Sequence, residues 1–148
     1  MSNYPIWWDT TVTIYNRYKD PQTDVVRWFR HTVTNCFWKD TGNKVSVGDT
    51  VLETNDIICR IPEDPKFLEP YAWAQLPNDK MSEHFTCGAD DIIVKGEITD
   101  EIDEYVRGKH SSDLLTKYKG LQGCMTVERM SINIGPGRVC PHYYVKGI

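Results

Sequence analysis

Ile92, Ile93 and Val94 stand side by side in the stretch Asp90-Asp91-Ile92-Ile93-Val94-Lys95-Gly96-Glu97. No other segment restricts the fold so tightly. All three side chains are β-branched and suit a pleated, packed surface. Three apolar residues in succession leave a strand no face for water, so this one is expected to be covered on both sides. Gly96 breaks the pattern, as glycine does at a bulge or a strand end. A strand buried on both faces needs further layers around it, and shorter strand signals lie before and after.

Taken in order, the chain opens with an aromatic, proline-containing arm, Tyr4-Pro5-Ile6-Trp7-Trp8-Asp9. Adjacent tryptophans in an extended arm point to opposite sides, so one can cap a core while the other faces a partner. Thr10 to Asn16 reads as the first strand, and Asn16 to Asp24 as a turn around Lys19-Asp20-Pro21-Gln22. Val25 to Arg30 and Thr32 to Trp38 read as strand separated by a bend near His31. Val33, Asn35 and Phe37 are assigned to one face and Thr34, Cys36 and Trp38 to the other. Polar, glycine-containing Lys39 to Asn43 reads as a loop. Val45 and Val47 then form a hairpin with Val51 and Leu52 through Gly48-Asp49, where a leading glycine allows the positive φ of a type II′ turn. Ile57 to Ile61 is a strand closed by Pro62.

Residues 62–89 hold Pro62, Pro65, Pro70 and Pro77 among Phe67, Tyr71 and Trp73. That proline density excludes a central strand or a long helix. An ordered excursion is expected, with a short helical turn around Asp79 to His84. Residues 99–120 are expected to be a helical insertion: a turn at Asp100 to Val106, then a short helix from Asp113 to Lys119, capped by Ser111 or Ser112 and closed at Gly120. Met125 to Ile134 reads as a strand bulged near Glu128-Arg129. Gly135-Pro136-Gly137 turns the chain into a last strand, Cys140 to Lys146. The pattern as a whole predicts a mainly β fold, a small barrel or sandwich of about 6–8 strands with a long proline-aromatic loop and one or two short helices, in a single domain over 1–148.

A chain of 148 residues can bury a core without metals or disulfides. Its five cysteines are odd in number and contain no Cys-x-x-Cys pair, which fits reduced thiols. Cys36 and Cys59 lie inside strand patterns and read as small buried hydrophobes. The N-terminus lacks a basic region followed by an apolar block, so folding in a cytoplasm is expected. Charge is uneven. Met1 to Gly48 sums to +2, Asp49 to Asp113 to −10, and Leu114 to Ile148 to +4. An acidic middle between basic ends is poorly suited to wrapping a phosphate backbone and well suited to contact between identical subunits.

The residue types that carry chemistry do not converge. His31, His84, His110 and His142 lie in separate segments with no paired-ligand spacing. Cys140-Pro141-His142 lacks further ligands, and Cys87 near His84 lacks the long-range assembly of a thiol dyad. The pairs Asp90-Asp91, Asp100-Glu101 and Asp103-Glu104 read as solvated or helix-start carboxylates. Gly135-Pro136-Gly137 lacks the Gly-Lys-Ser/Thr ending of a phosphate loop. No catalytic, metal or cofactor residue is therefore expected. Trp7, Trp8, Tyr71 and Trp73 are the interface candidates, since large rings with a polar handle favour such surfaces.

Several segments together resemble a family of small proteins from tailed bacteriophages and prophages of Gram-positive bacteria. They are Thr11 to Arg17, the strand around Trp28, Asn35 to Trp38, Ile58 to Pro62, Asp91 to Gly96 and His142 to Gly147. The layout is similar to that of head-closure ("stopper") proteins, whose short barrel ends on a His-x-x-Val-x-Gly strand like His142 to Gly147. That resemblance implies a non-enzymatic virion component, assembled in the host cytoplasm as a ring. Portal and adaptor proteins would lie above it and a tail terminator or tail tube below, with double-stranded DNA passing through and no membrane involved. Residues 62–89 and 99–120 make the chain longer than a minimal stopper, which leaves open a tail terminator. A small phage-encoded enzyme or a host-binding module is the alternative from another class.

Overall fold

In the computed structural model, residues 4–48, 50–119, 121–137 and 139–148 are described, with backbone alone for 41–47 and 50–55. Six strands close into an antiparallel barrel. They are β1 (Thr10–Lys19), β2 (Val26–Val47), β3 (Thr50–Pro62), β4 (Ile92–Lys95), β5 (Cys124–Asn133) and β6 (His142–Gly147), arranged β1-β2-β3-β6-β5-β4 around the circle. Two short helices complete it, α1 (Pro70–Ala74) and α2 (Ser111–Lys119).

The Ile92–Val94 stretch is β4, and it is buried on both faces as its composition requires. Ile93 points into the lumen with Val12, Ile14, Cys36, Cys59, Met125, Val127 and Val145. Ile92 and Val94 point outward and meet Tyr15 of β1, Ile98, Ile102, and Leu114 and Tyr118 of α2. The barrel thus has two cores, one inside and one between its β1/β4 wall and the segment 97–119. Tyr15 donates to the Asp100 carbonyl (2.6 Å) and Thr13 Oγ1 to the Gly96 carbonyl (2.8 Å), which fixes that outer layer to the wall.

Residues 63–91 cap one end of the lumen. Phe67 and Phe85 form a bridge and join the inner core, and Phe67 stacks on Tyr143 with ring centres 3.7 Å apart. Trp73 is buried under Phe29 and Tyr18 and donates from Nε1 to the Met81 carbonyl (3.2 Å). His31 stacks on Phe85 inside this end (4.6 Å), and burial holds its imidazole below the usual histidine range.

Four expectations require correction. Lys39–Asn43 is strand, not loop: β2 runs unbroken to Val47 and pairs with β3 from Phe37↔Arg60 to Val47↔Thr50. The irregularity in β2 is not at His31 but at Asn35, whose φ is +59°. Between Val12↔Val33 and Thr10↔Cys36 the register gains one residue on β2, so Val33 and Cys36 share the inner face. Residues 100–106 hold no helical turn: 100–103 are irregular, and turns come at 104–105 and 107–108. Finally, β1 continues through Asn16 to Lys19, and the turn comes later. There the Asp20 carboxylate accepts from the Gln22 and Thr23 amides, and Asp24 adopts φ +58°.

Other features are as the residues indicated. A 3-10 turn spans Met81–Glu83, and the register of β5 against β6 shifts between Val127 and Arg129. Gly48 has φ +62°, as the first position of a type II′ turn needs, while its partner Asp49 lies outside the described residues. The cap of α2 is a further correction: the helix begins at Ser111, so neither Ser111 nor Ser112 is its N-cap, and Asp113 in its first turn accepts from the His110 amide (3.0 Å), while Gly120 lies outside the described residues. Gly147 is required by contact. A Cβ there would sit 2.2 Å from the Thr126 carbonyl oxygen.

Candidate functional site

The four aromatic candidates divide in pairs. Trp7 is 66% exposed and Tyr71 79%, while Trp8 is 6% exposed and Trp73 2%. Trp8 packs between Tyr4 (5.3 Å), Phe37 (6.2 Å) and His142 (5.6 Å). Tyr4 anchors the arm by donating to the Pro141 carbonyl (2.5 Å) and accepting from the Glu63 amide (3.1 Å). The Trp8 amide donates to the Pro5 carbonyl, closing a turn whose tip carries Ile6 and Trp7 outward. Ile6 is 92% exposed. The arm is therefore a fixed turn presenting two apolar side chains to solvent. On α1, Tyr71 faces out and Trp73 faces in, so α1 clamps the cap while offering a ring.

Beside the arm, Arg60 of β3 lies between Phe37 (5.5 Å) and Tyr144 (5.6 Å), with both rings against its guanidinium. These three residues occupy one cross-strand row, Phe37↔Arg60↔Tyr144. The next outward row is Lys39↔Ile58↔Lys146↔Arg129. The first row sets two rings about a basic group and the second sets three basic groups beside Ile58, both on the outer face of the sheet.

The ribbon is the other prominent element. β6 meets β3 only from Ile57 to Pro62, and β1 meets β2 only up to Cys36. From Thr41↔Asp56 to Val47↔Thr50 the two strands therefore pair with each other alone. At about 3.3 Å per residue this ribbon projects roughly 23 Å beyond the wall.

Sequence reasoning missed Asp91. It is not a solvated carboxylate but 3% exposed, at the seam between β1 and the cap. Oδ2 accepts from Asn16 Nδ2 (2.9 Å) and the Gly88 amide (2.8 Å), and Oδ1 from the Arg17 amide (2.8 Å). Asn16 in turn reaches the Thr86 carbonyl (2.5 Å) and accepts from the Thr86 amide (3.2 Å). Burial pushes the Asp91 carboxyl up to about 6, against the pull of those donors. Its only sequence signal was its place directly before an apolar run, opposite an asparagine inside a strand. All three donors are in place, so the network fastens the cap to the barrel.

The other chemical groups stay apart. Burial raises the Cys87 thiol well above its ordinary value, and a hydrogen bond with Cys36 does so for Cys59, which makes both poor nucleophiles. A cleft of about 240 Å³ between 100–110 and α2 is lined by Asp100, Glu101, His110, Asp113 and Lys117 among others. Within it Lys117 Nζ and Tyr118 Oη each bond Asp100 at 2.8 Å, and Lys117 chiefly holds that carboxyl below the usual range. Among the described residues no group of three or more His, Cys, Asp or Glu is arranged to hold a metal ion. None of their helices is long and apolar enough to cross a membrane.

Compared with known proteins, residues 7–148 match one family model, the family of unknown function DUF6751. The chain belongs to DUF6751. Neither the curated proteins nor the solved structures gave a match. In this DUF6751 member the exposed arm, the basic aromatic rows and the projecting ribbon are the prominent surface elements.

Proposed function

We propose that this chain is a structural, non-enzymatic subunit of the neck of a tailed-phage virion, a head-closure ring joining the portal-adaptor complex to the tail. The observation that carries the reading is the ribbon. A two-stranded ribbon is marginal on its own in water, and among the described residues no third strand pairs with its edges over 41–47 and 50–55. Such an element makes sense where a neighbouring chain lies against it. The fixed arm with Ile6 and Trp7 outward supports the same reading, because a pre-ordered apolar knob loses little entropy on docking. So does the closed barrel, the architecture that the sequence's resemblance to stopper proteins implies. In this arrangement the barrel gives a rigid body, while arm and ribbon reach the chains beside, above and below. A tail terminator is the nearest alternative within the same neck.

A second reading, a small phage-encoded enzyme or host-binding module, draws on the polar cleft beside Asp100 and Lys117. Mass spectrometry of purified phage particles separates the two. A neck component is recovered in every particle preparation at a fixed ratio to the portal protein. A chain abundant in infected cells but missing from particles contradicts the proposal.

A further inference from the structure

The charge that looks merely uneven along the sequence is sorted by the fold onto opposite walls. In the circle β1-β2-β3-β6-β5-β4, the β1/β4 wall lies half a turn from the β3/β6 wall. The first is covered by 97–119, since Ile98, Ile102, Leu114 and Tyr118 pack on Tyr15, Ile92 and Val94. Glu97, Asp100, Glu101, Asp103 and Glu104 fall on that cover, with no lysine or arginine among residues 97–104. Lys117 pairs with Asp100 and Arg30 with Glu101, which leaves Glu97, Asp103 and Glu104 in excess. Arg107, Lys109, Lys117 and Lys119 follow within 107–119 against Asp113 alone, so the cover's excess of carboxylates is held in 97–104.

The opposite wall carries no layer like 97–119 among the described residues; only the arm touches it, where Trp8 packs on Phe37 and His142. Its outward rows hold Lys39, Arg60, Lys146 and Arg129, with Phe37 and Tyr144 flanking Arg60. Lys146 stands directly opposite Arg129, a pairing that costs stability within a sheet. Asp56 offsets Lys146 at 3.6 Å, and Glu128 lies at the adjacent bulge. Like charges placed across a ladder, beside rings that stack but do not neutralise, form a surface that favours an acidic partner.

We infer that the basic aromatic face of β2-β3-β6-β5 docks on the acidic cover over β1/β4 of a second copy of this chain. The two faces are complementary in charge and half a barrel apart, so one copy cannot satisfy both. Repetition of such a head-to-tail contact gives a closed ring or an open filament according to the rotation per copy. Neutralised pairs would steer encounter and fix register, with the Phe37-Arg60-Tyr144 row as the desolvated centre. The inference deepens the ring assignment and takes its biological setting from it, but concerns which surfaces meet.

The test is sedimentation velocity across a concentration series of the full chain at low and high salt, with far-UV circular dichroism confirming each variant's fold. The wild type is expected to associate at low salt and dissociate as salt screens the contact. A sheet-face variant, Lys39→Glu with Arg129→Glu, and a cover variant, Glu97→Lys with Asp103→Lys, should each associate at least about tenfold more weakly. Mixing the two folded variants should restore association, because each then offers the face that the other lacks. A wild type that stays monomeric throughout, variants that associate like the wild type, or a mixture that fails to recover would overturn the inference. So would a sheet face that binds duplex DNA while the chain remains monomeric. Recovery on mixing by a chain absent from virions would leave this contact standing and sink the neck assignment. Virion incorporation unaffected by the charge changes would do the reverse.

Discussion

Asp91 is the residue on which the attachment of the cap turns. A buried carboxylate accepting three N–H donors has no slack: Asp91→Asn places an amide N–H against groups that themselves donate. That change should cost about 1–3 kcal/mol at neutral pH, read by urea unfolding. Its pH signature has a definite sign. The folded value of about 6 lies above the ordinary 3.8, so the folded chain holds this proton more tightly than the unfolded chain does. The group's contribution is therefore full below about 3.8 and is lost as pH rises through 6, by about 3 kcal/mol at most. Wild-type stability relative to Asp91→Asn should rise on acidification from pH 7 to pH 4. A difference independent of pH would mean that Asp91 is not buried as described. This role was not legible beforehand, because adjacent Asp90 and Asp91 look equally solvated. The donors that hold Asp91 come from Asn16, Arg17 and Gly88, of which Asn16 and Arg17 lie some 75 residues away in the chain.

At the scale of elements, legibility followed burial. Ile92–Val94 declared itself because a strand covered on both faces must be apolar at every position, and it is. The cover helix announced itself through Leu114 and Tyr118, four apart and both buried. Leu114→Ala should destabilise the chain by about 2–5 kcal/mol in thermal or denaturant unfolding, since it opens a cavity in the outer core. Lys39–Asn43 was illegible for the converse reason. A ribbon with no sheet beside it imposes no alternation of apolar and polar residues, so strand and loop look alike in sequence. That independence is itself testable. Replacing residues 42–55 by a two-residue Asn-Gly turn closed by the Thr41↔Asp56 pair should leave the barrel's unfolding midpoint within a few degrees of the wild type while abolishing assembly. Collapse of the fold would show the ribbon to be part of the barrel's own stability.

At the scale of the whole molecule, the barrel keeps polar chemistry at its seams and puts apolar and charged recognition groups on its rim and walls. The interface tryptophans show how far sequence carries here. Trp7 and Trp8 part as an extended arm would place them, but through a turn closed by the Trp8 amide on the Pro5 carbonyl, and nothing local distinguished exposed Tyr71 from buried Trp73 on one short helix. Charge sorting was half visible: the acidic middle and basic ends could be counted along the chain. Their placement on opposite walls depends on the strand order, which brings β2, β3, β5 and β6 together and leaves β1 and β4 to the cover. The central claim is that this barrel works by fitting against copies of itself and its neighbours in a virion neck. Cryo-electron microscopy of the purified phage particle tests it most directly. The account predicts a ring of these closed barrels between portal and tail, with arms and ribbons in contact with adjoining chains. A neck fully accounted for by other proteins, with no density that this barrel fits, would contradict it.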